Sequence, residues 1–272
     1  MKKLLLPFFA IAFAATAHSQ VVFQDNFSSG TAADAGYYRF GTTGTSLATD
    51  DTAGTLNYAY SGTAANRSGV IKQFASTTIE IGETLTFAFT IDARDLRADE
   101  NNSFRWSIGN IGTSVSADLA DAEPFSGGTR QNYVFAAATG VATTALNQHS
   151  AGFSSPVNGG TTTNLSGLAA SNFSDASTDA FAIAVAFTRT ASGLEISKDF
   201  GGNISSATFT TTNANDFIFN TLAFSMNNAG DYDFALSDVS VSVIPEPSAW
   251  ALSSGVLALL MVLRRPRRRG LN

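Results

Sequence analysis

The stretch Leu85-Thr86-Phe87-Ala88-Phe89-Thr90-Ile91 decides the class of this fold. Large apolar side chains occupy every second position, and small or hydroxylated residues fill the positions between them. Successive side chains of a β-strand point to opposite faces, whereas a helix repeats every 3.6 residues. The strict alternation therefore predicts a strand with one face in a hydrophobic core and the other face towards solvent.

The same alternation recurs on both sides of this stretch. Ser103–Ile108 (SFRWSI) and Phe181–Thr188 (FAIAVAFT) each carry aromatic and branched residues on one face. Thr190–Gly193 predicts a tight turn that joins the second of these to Leu194–Ser197 as a hairpin. Further predicted strands are 21–23, 37–40, 56–60, 70–74, 133–135, 207–211, 217–226 and 234–243, and Gly41–Gly54 and most of 140–180 are predicted as loops.

This pattern predicts an all-β fold: a two-sheet antiparallel β-sandwich (jelly roll) spanning residues 20–243. About a dozen short strands separated by polar turns are typical of that architecture. A chain of this length does not have to divide into two domains. Phe87, Phe89, Phe187 and Phe224 are predicted core members.

The chain begins with a predicted signal helix. Lys2 and Lys3 precede an apolar run from Leu4 to Ala15, and Ala17-His18-Ser19 provides small residues on both sides of a cleavage site. This order is typical of a secretory signal peptide, which is removed from the mature protein. Residues 1–19 are therefore predicted to be cut away, and the mature chain to start at Gln20 or Val21.

Composition is consistent with export. The chain has no cysteine, which excludes disulfides, thiolate metal sites and cysteine nucleophiles. Of its 16 basic residues two lie in the signal peptide and five near the C-terminus, which leaves nine against 22 acidic residues, or about −13. A domain of that charge has no attraction for nucleic acid or anionic lipid, so neither is an expected partner.

The C-terminus, residues 244–272, has three parts in a fixed order. Pro245-Glu246-Pro247 follows the last predicted strand, and Ser248–Leu263 is an apolar segment. As a helix this segment would be about 24 Å long, a little short of a bilayer core of about 30 Å. Arginine resists translocation, so the end of the chain is predicted to stay cytoplasmic, as a transient inner-membrane anchor. The arginines that close the chain are Arg264, Arg265, Arg267, Arg268 and Arg269.

This three-part terminus resembles the PEP-CTERM sorting signal of exported bacterial proteins. The resemblance implies recognition by an exosortase, a membrane cysteine protease, after delivery by the secretion machinery. It also implies a cut near Pro245–Pro247 that sends the domain to the cell surface or the extracellular space. The alternative is an ordinary single-pass anchor that is never cut.

A second resemblance covers the mature chain. Asp25-Asn26-Phe27, the turn region Arg189–Ile196 and the ending Ser237–Val241 are similar to concanavalin A-like (LamG-type) jelly rolls. The resemblance implies that the first and last strands are neighbours. The Glu-x-Asp-x-x-Glu strand of laminarinase-type glycosidases is absent from this chain.

Catalytic chemistry is not indicated by any other motif. Glu80 and Glu83 flank a probable turn, and His149 lies in a polar segment with no acid beside it. No Gly-x-Ser-x-Gly or phosphate-binding glycine loop occurs. The sequence therefore predicts a non-enzyme.

Two kinds of binding residue remain as hypotheses. Trp106 and the tyrosines could stack on sugar rings, although core positions are the more probable reading for most of them. No cofactor is predicted, except that Asp25, Asn26 and Asp238 are candidate calcium ligands, because calcium prefers hard oxygens and the first and last strands should adjoin. Asp231-Tyr232-Asp233 is a second acidic group.

The favoured function is that of a non-catalytic exported surface or matrix protein, associated with exopolysaccharide or biofilm. The alternative is a lectin-like carbohydrate-binding module with a defined glycan pocket. A degenerate glycoside hydrolase is a more distant third reading.

Overall fold

The computed structural model describes residues 19–28, 30–41, 45–61, 67–92, 103–111, 114–119, 131–139, 146–149, 162–164, 172–173, 180–227 and 232–245. These residues form sixteen strands in two sheets, with one short 3-10 helix at Ala214–Phe217. The predicted all-β, two-sheet sandwich is confirmed. The predicted terminal helices lie outside the described residues. Within those residues, no helix is long and apolar enough to span a membrane.

The first sheet, sheet A, contains the stretch that decided the fold class. Its strands follow the order β14-β13-β12-β6-β16-β4-β3, and β1 pairs with β16 beside β4. Its strands are β1 (Gln20–Asp25), β3 (Thr45–Asp50), β4 (Thr55–Tyr60), β6 (Thr84–Asp92), β12 (Phe181–Thr190), β13 (Gly193–Phe200), β14 (Asn203–Thr210) and β16 (Tyr232–Ile244).

The second sheet, sheet B, follows the order β10-β9-β8-β7-β15-β5-β2, and β11 pairs with β8 in parallel. All other strand pairs are antiparallel. Its strands are β2 (Tyr37–Phe40), β5 (Arg67–Thr78), β7 (Ser103–Asn110), β8 (Gln131–Thr139), β9 (Leu146–His149), β10 (Thr162–Asn164), β11 (Asn172–Phe173) and β15 (Ile218–Asn227).

The core between the sheets is built from the alternating residues that the sequence indicated. Phe87 and Phe89 of β6, Phe187 of β12 and Phe224 of β15 are all buried, as predicted. Phe89 packs edge-on against Phe224 with ring centroids 4.9 Å apart, a favourable geometry for two aromatic rings. The core thus joins a central strand of each sheet.

The first and last strands are neighbours, as the jelly-roll resemblance implied. β1 and β16 pair antiparallel, with Gln20 opposite Val243 and Asp25 opposite Val239. The predicted hairpin is also confirmed, since Thr190 pairs with Gly193 across a two-residue turn. A side chain at Gly193 would come within 2.0 Å of the Phe209 carbonyl oxygen, so the close approach of β14 requires glycine there.

Two predicted loop regions contain strands. The short strands β9, β10 and β11 lie within 140–180, and the prediction for Gly41–Gly54 is wrong at β3. This strand pairs with β4 from Thr45–Tyr60 to Asp50–Thr55. The sequence TSLATD carries one large apolar side chain, Leu47, because β3 is the edge of sheet A and its side chains are only half-buried or exposed. Backbone pairing with β4, rather than burial of apolar side chains, produces this strand.

Candidate functional site

A β-bulge in β16 forms one side of the candidate site. Between Ser237 and Ser240 the strand gains one residue relative to β6, where Thr90 and Ala88 are the corresponding partners. Asp238 adopts a left-handed backbone at φ 53° and is exposed. Bulges redirect side chains and occur often beside binding sites. Asp238 therefore projects from the outer face of sheet A.

The floor of the site is a row of small residues across three adjacent strands. Ser240 pairs with Ala88, Ala88 with Ala184, and Ala184 with Asp199. Because these positions alternate with the core residues, they lie on the outer face of the sheet. Alanines at its centre leave a depression of about 180 Å³ between the two aspartates.

Asp199 forms the opposite side of this depression. One of its carboxylate oxygens accepts a hydrogen bond of 2.8 Å from the Gly202 N–H, which caps the turn after β13. Asp199 and Asp238 stand on strands three spacings apart, about 14 Å between backbones, so they are two separate carboxylates over one apolar floor.

The proposed calcium ligands Asp25 and Asp238 lie on adjacent strands, since Asp25 is opposite Val239, but their side chains have different surroundings. Asp25 accepts from the Phe27 N–H at 2.8 Å, and Asn26 accepts from Ser28. The charge of Asp25 acts on Tyr37 and Lys72 in the sandwich interior, whereas Asp238 lines the outer depression. In the part of the chain that the structure describes, no group of three or more His, Cys, Asp or Glu residues is arranged to hold a metal.

The second acidic group is only partly visible, because Asp231 and the side chain of Tyr232 lie outside the described part. Asp233 is half-buried on β16.

The aromatic residues do not form sugar platforms. Trp106, Tyr37, Tyr58 and Tyr133 are buried, and Tyr60 is nearly so. Trp106 stacks within the core on Phe104, Phe135 and Phe200. Tyr38 is half-buried, and the side chain of Tyr232 lies outside the described part. The favoured reading as core residues is therefore confirmed for Trp106, Tyr37, Tyr58, Tyr60 and Tyr133, which fall on the inner alternation of their strands.

The carboxylates considered for catalysis have structural partners. Glu83 accepts a hydrogen bond from the Glu80 N–H at 2.8 Å, and Glu80 pairs with Arg189 at 3.3 Å. Arg189 also donates to the Ile79 carbonyl and lies over the Phe217 ring. These contacts confirm the predicted turn at Glu80–Glu83. His149 is in β9, but its side chain lies outside the described part.

Two lysines on inner faces, the half-buried Lys72 and the buried Lys198, were missed by the sequence analysis. Lys72 lies over the rings of Phe23 and Tyr37 and donates to the Ala35 carbonyl oxygen. Burial lowers its pKa, although the charge of Asp25 acts in the opposite direction. Burial likewise lowers the pKa of Lys198, which shares the inner face of β13 with Ile196 and Phe200. The predicted strand ended at Ser197. Extending its alternation by one residue would have placed Lys198 on the inner face.

The outer face of sheet B is covered beside β2, β5 and β15. Ile111 and residues 114–119, together called the crossing segment, lie over it and bury Phe40, Ile71 and Ala223. Arg39 holds the segment through Asp118, with 2.9 Å between Nε and Oδ2. Burial raises the pKa of Asp118, but hydrogen bonds from Arg39 and its charge lower the pKa more, so the net shift is downward.

The residues expected at the two processing sites lie close together where they are described. Ser19 is exposed and directly precedes β1, and Pro245 is half-buried directly after β16. Pro245 lines a groove with Gln20, Val21 and Val243, which faces Ala75–Thr78 and Glu83. The remaining residues of these sites, Ala17, Glu246, Pro247, Arg264, Arg265, Arg267, Arg268 and Arg269, lie outside the described residues.

Neither a protein family nor a curated protein matches this sequence. Solved structures do match, at low identity. Lectin I-B4 from Griffonia simplicifolia, in its metal-free form, has a TM-score of 0.49 and 12% identity, covering 83% of this chain and 99% of that one. The T. cruzi calreticulin globular domain has a TM-score of 0.49 and 8% identity, covering 90% and 100%. These figures describe a distant likeness in chain path.

The sequence analysis predicted a non-enzyme, and the comparison with solved structures corrects that prediction. A carbohydrate esterase from Shiga toxin-encoding bacteriophage phi24B matches with a TM-score of 0.44 and 13% identity, over 84% of this chain and 100% of that one. Alginate lyase AlyC3 matches with a TM-score of 0.43 and 8% identity, over 73% and 78%. We do not retain the expectation of a non-enzyme.

Proposed function

We propose that this chain is an exported bacterial surface protein whose β-sandwich contacts surface polysaccharide through the depression between Asp199 and Asp238. Export and removal of both chain ends follow from the signal peptide and from the likeness of residues 244–272 to a PEP-CTERM signal. In this proposal an exosortase cuts near Pro245–Pro247. The domain then acts at the cell surface or in the biofilm matrix.

The observation that carries the contact site is the depression with alanines in its floor that is lined by Asp199 and by Asp238, which stands at the bulge of β16. Carboxylate oxygens accept hydrogen bonds from sugar hydroxyls, and small floor residues let a ring approach the backbone closely. Pockets for drug-sized ligands enclose about 300–1,000 Å³. This depression, at about 180 Å³, is smaller and open, so it would contact one part of a longer polymer rather than enclose a whole ligand.

Such a contact is weak in one copy and effective in many. One shallow site corresponds to affinity near the millimolar range, about −4 kcal/mol. Display of many copies on one surface raises the overall avidity without new contacts. Since the mature domain is acidic, neutral polysaccharide is the expected ligand, and polymers of uronic acids are disfavoured by like charge.

Retention of a neutral polysaccharide by densely immobilised protein tests the proposal. Asp238→Asn and Asp199→Asn remove one charge each, and asparagine tolerates the left-handed backbone at position 238. Glu195→Gln is the matched control, because Glu195 is exposed on the same face of β13, outside the depression.

We expect both aspartate variants to lose retention and the control to keep it. Equal retention by all three variants would contradict the site. If the soluble monomer binds the polysaccharide with submillimolar affinity and one aspartate variant loses that affinity, the lectin alternative is favoured. Release of sugar products in the same assay would add an enzymatic activity to the site.

A further inference from the structure

The end of the sandwich where both chain termini emerge carries most of the exposed large apolar side chains. Four such side chains are exposed among the described residues. Three of them, Val21 (59% exposed), Ile81 (52%) and Ile244 (42%), lie at this end. Ile244 pairs with Thr84, which follows the turn containing Ile81, and Val21 is opposite Ser242. The fourth, Ile204 (75%), lies on the edge strand β14.

The C-terminal apolar segment starts almost at once beyond this end. Pro245 is held in the groove beside Gln20 and Val243, and Ser248 is only three residues further on. Three residues span at most about 10 Å when fully extended. A bilayer that contains Ser248–Leu263 would therefore begin within about 10 Å of Pro245, at the end of the sandwich that carries Val21, Ile81 and Ile244.

We infer that this end is a lipid-facing surface: before the tail is cut, Val21, Ile81 and Ile244 rest in the interface of the bilayer that holds Ser248–Leu263. The inference rests on the proposed function, because it requires the tail to be inserted in a membrane. The chain supplies the short tether, and burial of the three side chains in the interface is favourable by the hydrophobic effect. Glu80 and Glu83 stand at the same end, so their charge disfavours anionic lipid and the surface suits zwitterionic lipid.

The absence of cysteine makes the test direct. Single variants Val21→Cys, Ile81→Cys and Ile244→Cys of the full chain are labelled with a fluorophore and reconstituted into phosphatidylcholine vesicles with nitroxide-labelled lipid. Ile204→Cys is the matched control, since Ile204 is the most exposed of the four and lies at the far edge of sheet A. All four side chains are exposed, so the changes leave the core intact.

We expect lipid quenching to reduce the fluorescence at positions 21, 81 and 244 and to leave position 204 unchanged. Position 81 is decisive because it is not adjacent to a chain terminus. If the protein binds vesicles but the label at position 81 is not quenched, the inference is overturned and membrane anchoring by the tail is not. Protein that does not float with vesicles would overturn both the inference and membrane anchoring, and cross-links between copies at position 81 would assign the surface to a second copy instead.

Discussion

Gln20 and Val243 are directly opposite each other in the ladder between β1 and β16, so the first and last strands of the domain are neighbours. β16 also pairs with β4 and β6, which makes it the strand that joins the two parts of sheet A. Contacts between residues so far apart in sequence form late in folding, because the loop they close is long.

Because β16 joins the two parts of sheet A, its removal should abolish folding of the whole domain. A chain from Gln20 to Ile244 should unfold cooperatively with the circular dichroism of a β protein. A chain that stops at Asn227 lacks the strand between β6 and β4 and should remain unfolded or aggregated. A cooperative transition in the shorter chain would contradict the described topology.

The core account predicts a large loss of stability from one aromatic truncation. Phe224→Ala should lower the free energy of unfolding by about 3–5 kcal/mol, because Phe224 is buried between the sheets against Phe87 and Phe89. Ile204→Ala, at an exposed position, should change it by less than about 0.5 kcal/mol. Urea unfolding measures both, and similar losses in the two variants would argue against this core.

The crossing segment predicts that Asp118 contributes to the free energy of unfolding in a pH-dependent way. Its pKa is lowered in the folded protein, so its pairing with Arg39 stabilises the fold above the ordinary aspartate pKa of about 3.9 and is lost as pH falls below that value. Both side chains are partly exposed, so Asp118→Asn should cost about 0.5–1 kcal/mol at neutral pH.

Urea unfolding at pH 7 and pH 3 measures this effect. The difference between the native chain and Asp118→Asn should shrink at the lower pH, whereas Glu195→Gln, which removes an exposed acid from sheet A, should show little difference at pH 7. A difference for Asp118→Asn that is the same at both pH values would rule out the ion pair as its cause.

The arrangement of Asp25 and Asp238 predicts how the protein responds to calcium. Asp25 is engaged with the Phe27 N–H and faces Lys72, and Asp238 lies on the outer face. EDTA at low ionic strength should therefore leave the Tm unchanged. A rise in Tm with calcium that Asp25→Asn abolishes would restore the site proposed from the sequence.

Alternation predicted the strands whose inner positions hold large apolar residues. β6 and β12 were readable from sequence because Phe87, Phe89 and Phe187 repeat at period two. β3 was not, since an edge strand needs only backbone partners. Lys72 was hidden for a different reason: a lysine on an inner face contradicts the pattern, although its stem packs on Phe23 and Tyr37.

The candidate site could be predicted only in part. Asp238 was chosen because the first and last strands should adjoin, which is correct. Asp199, which lines the same depression, was not chosen, because its place there depends on the pairing of β16, β6, β12 and β13. A bulge is set by the register between two strands and leaves no local mark in either sequence.

The central claim is that the sandwich is cut free at both of its adjacent ends, and the intact mass of the protein from its native host tests it most directly. The account predicts a species that begins at or near Gln20 and ends between Pro245 and Pro247, without the arginines at 264–269. A native species that retains Leu263 to Arg269 would contradict it and indicate a permanent single-pass anchor.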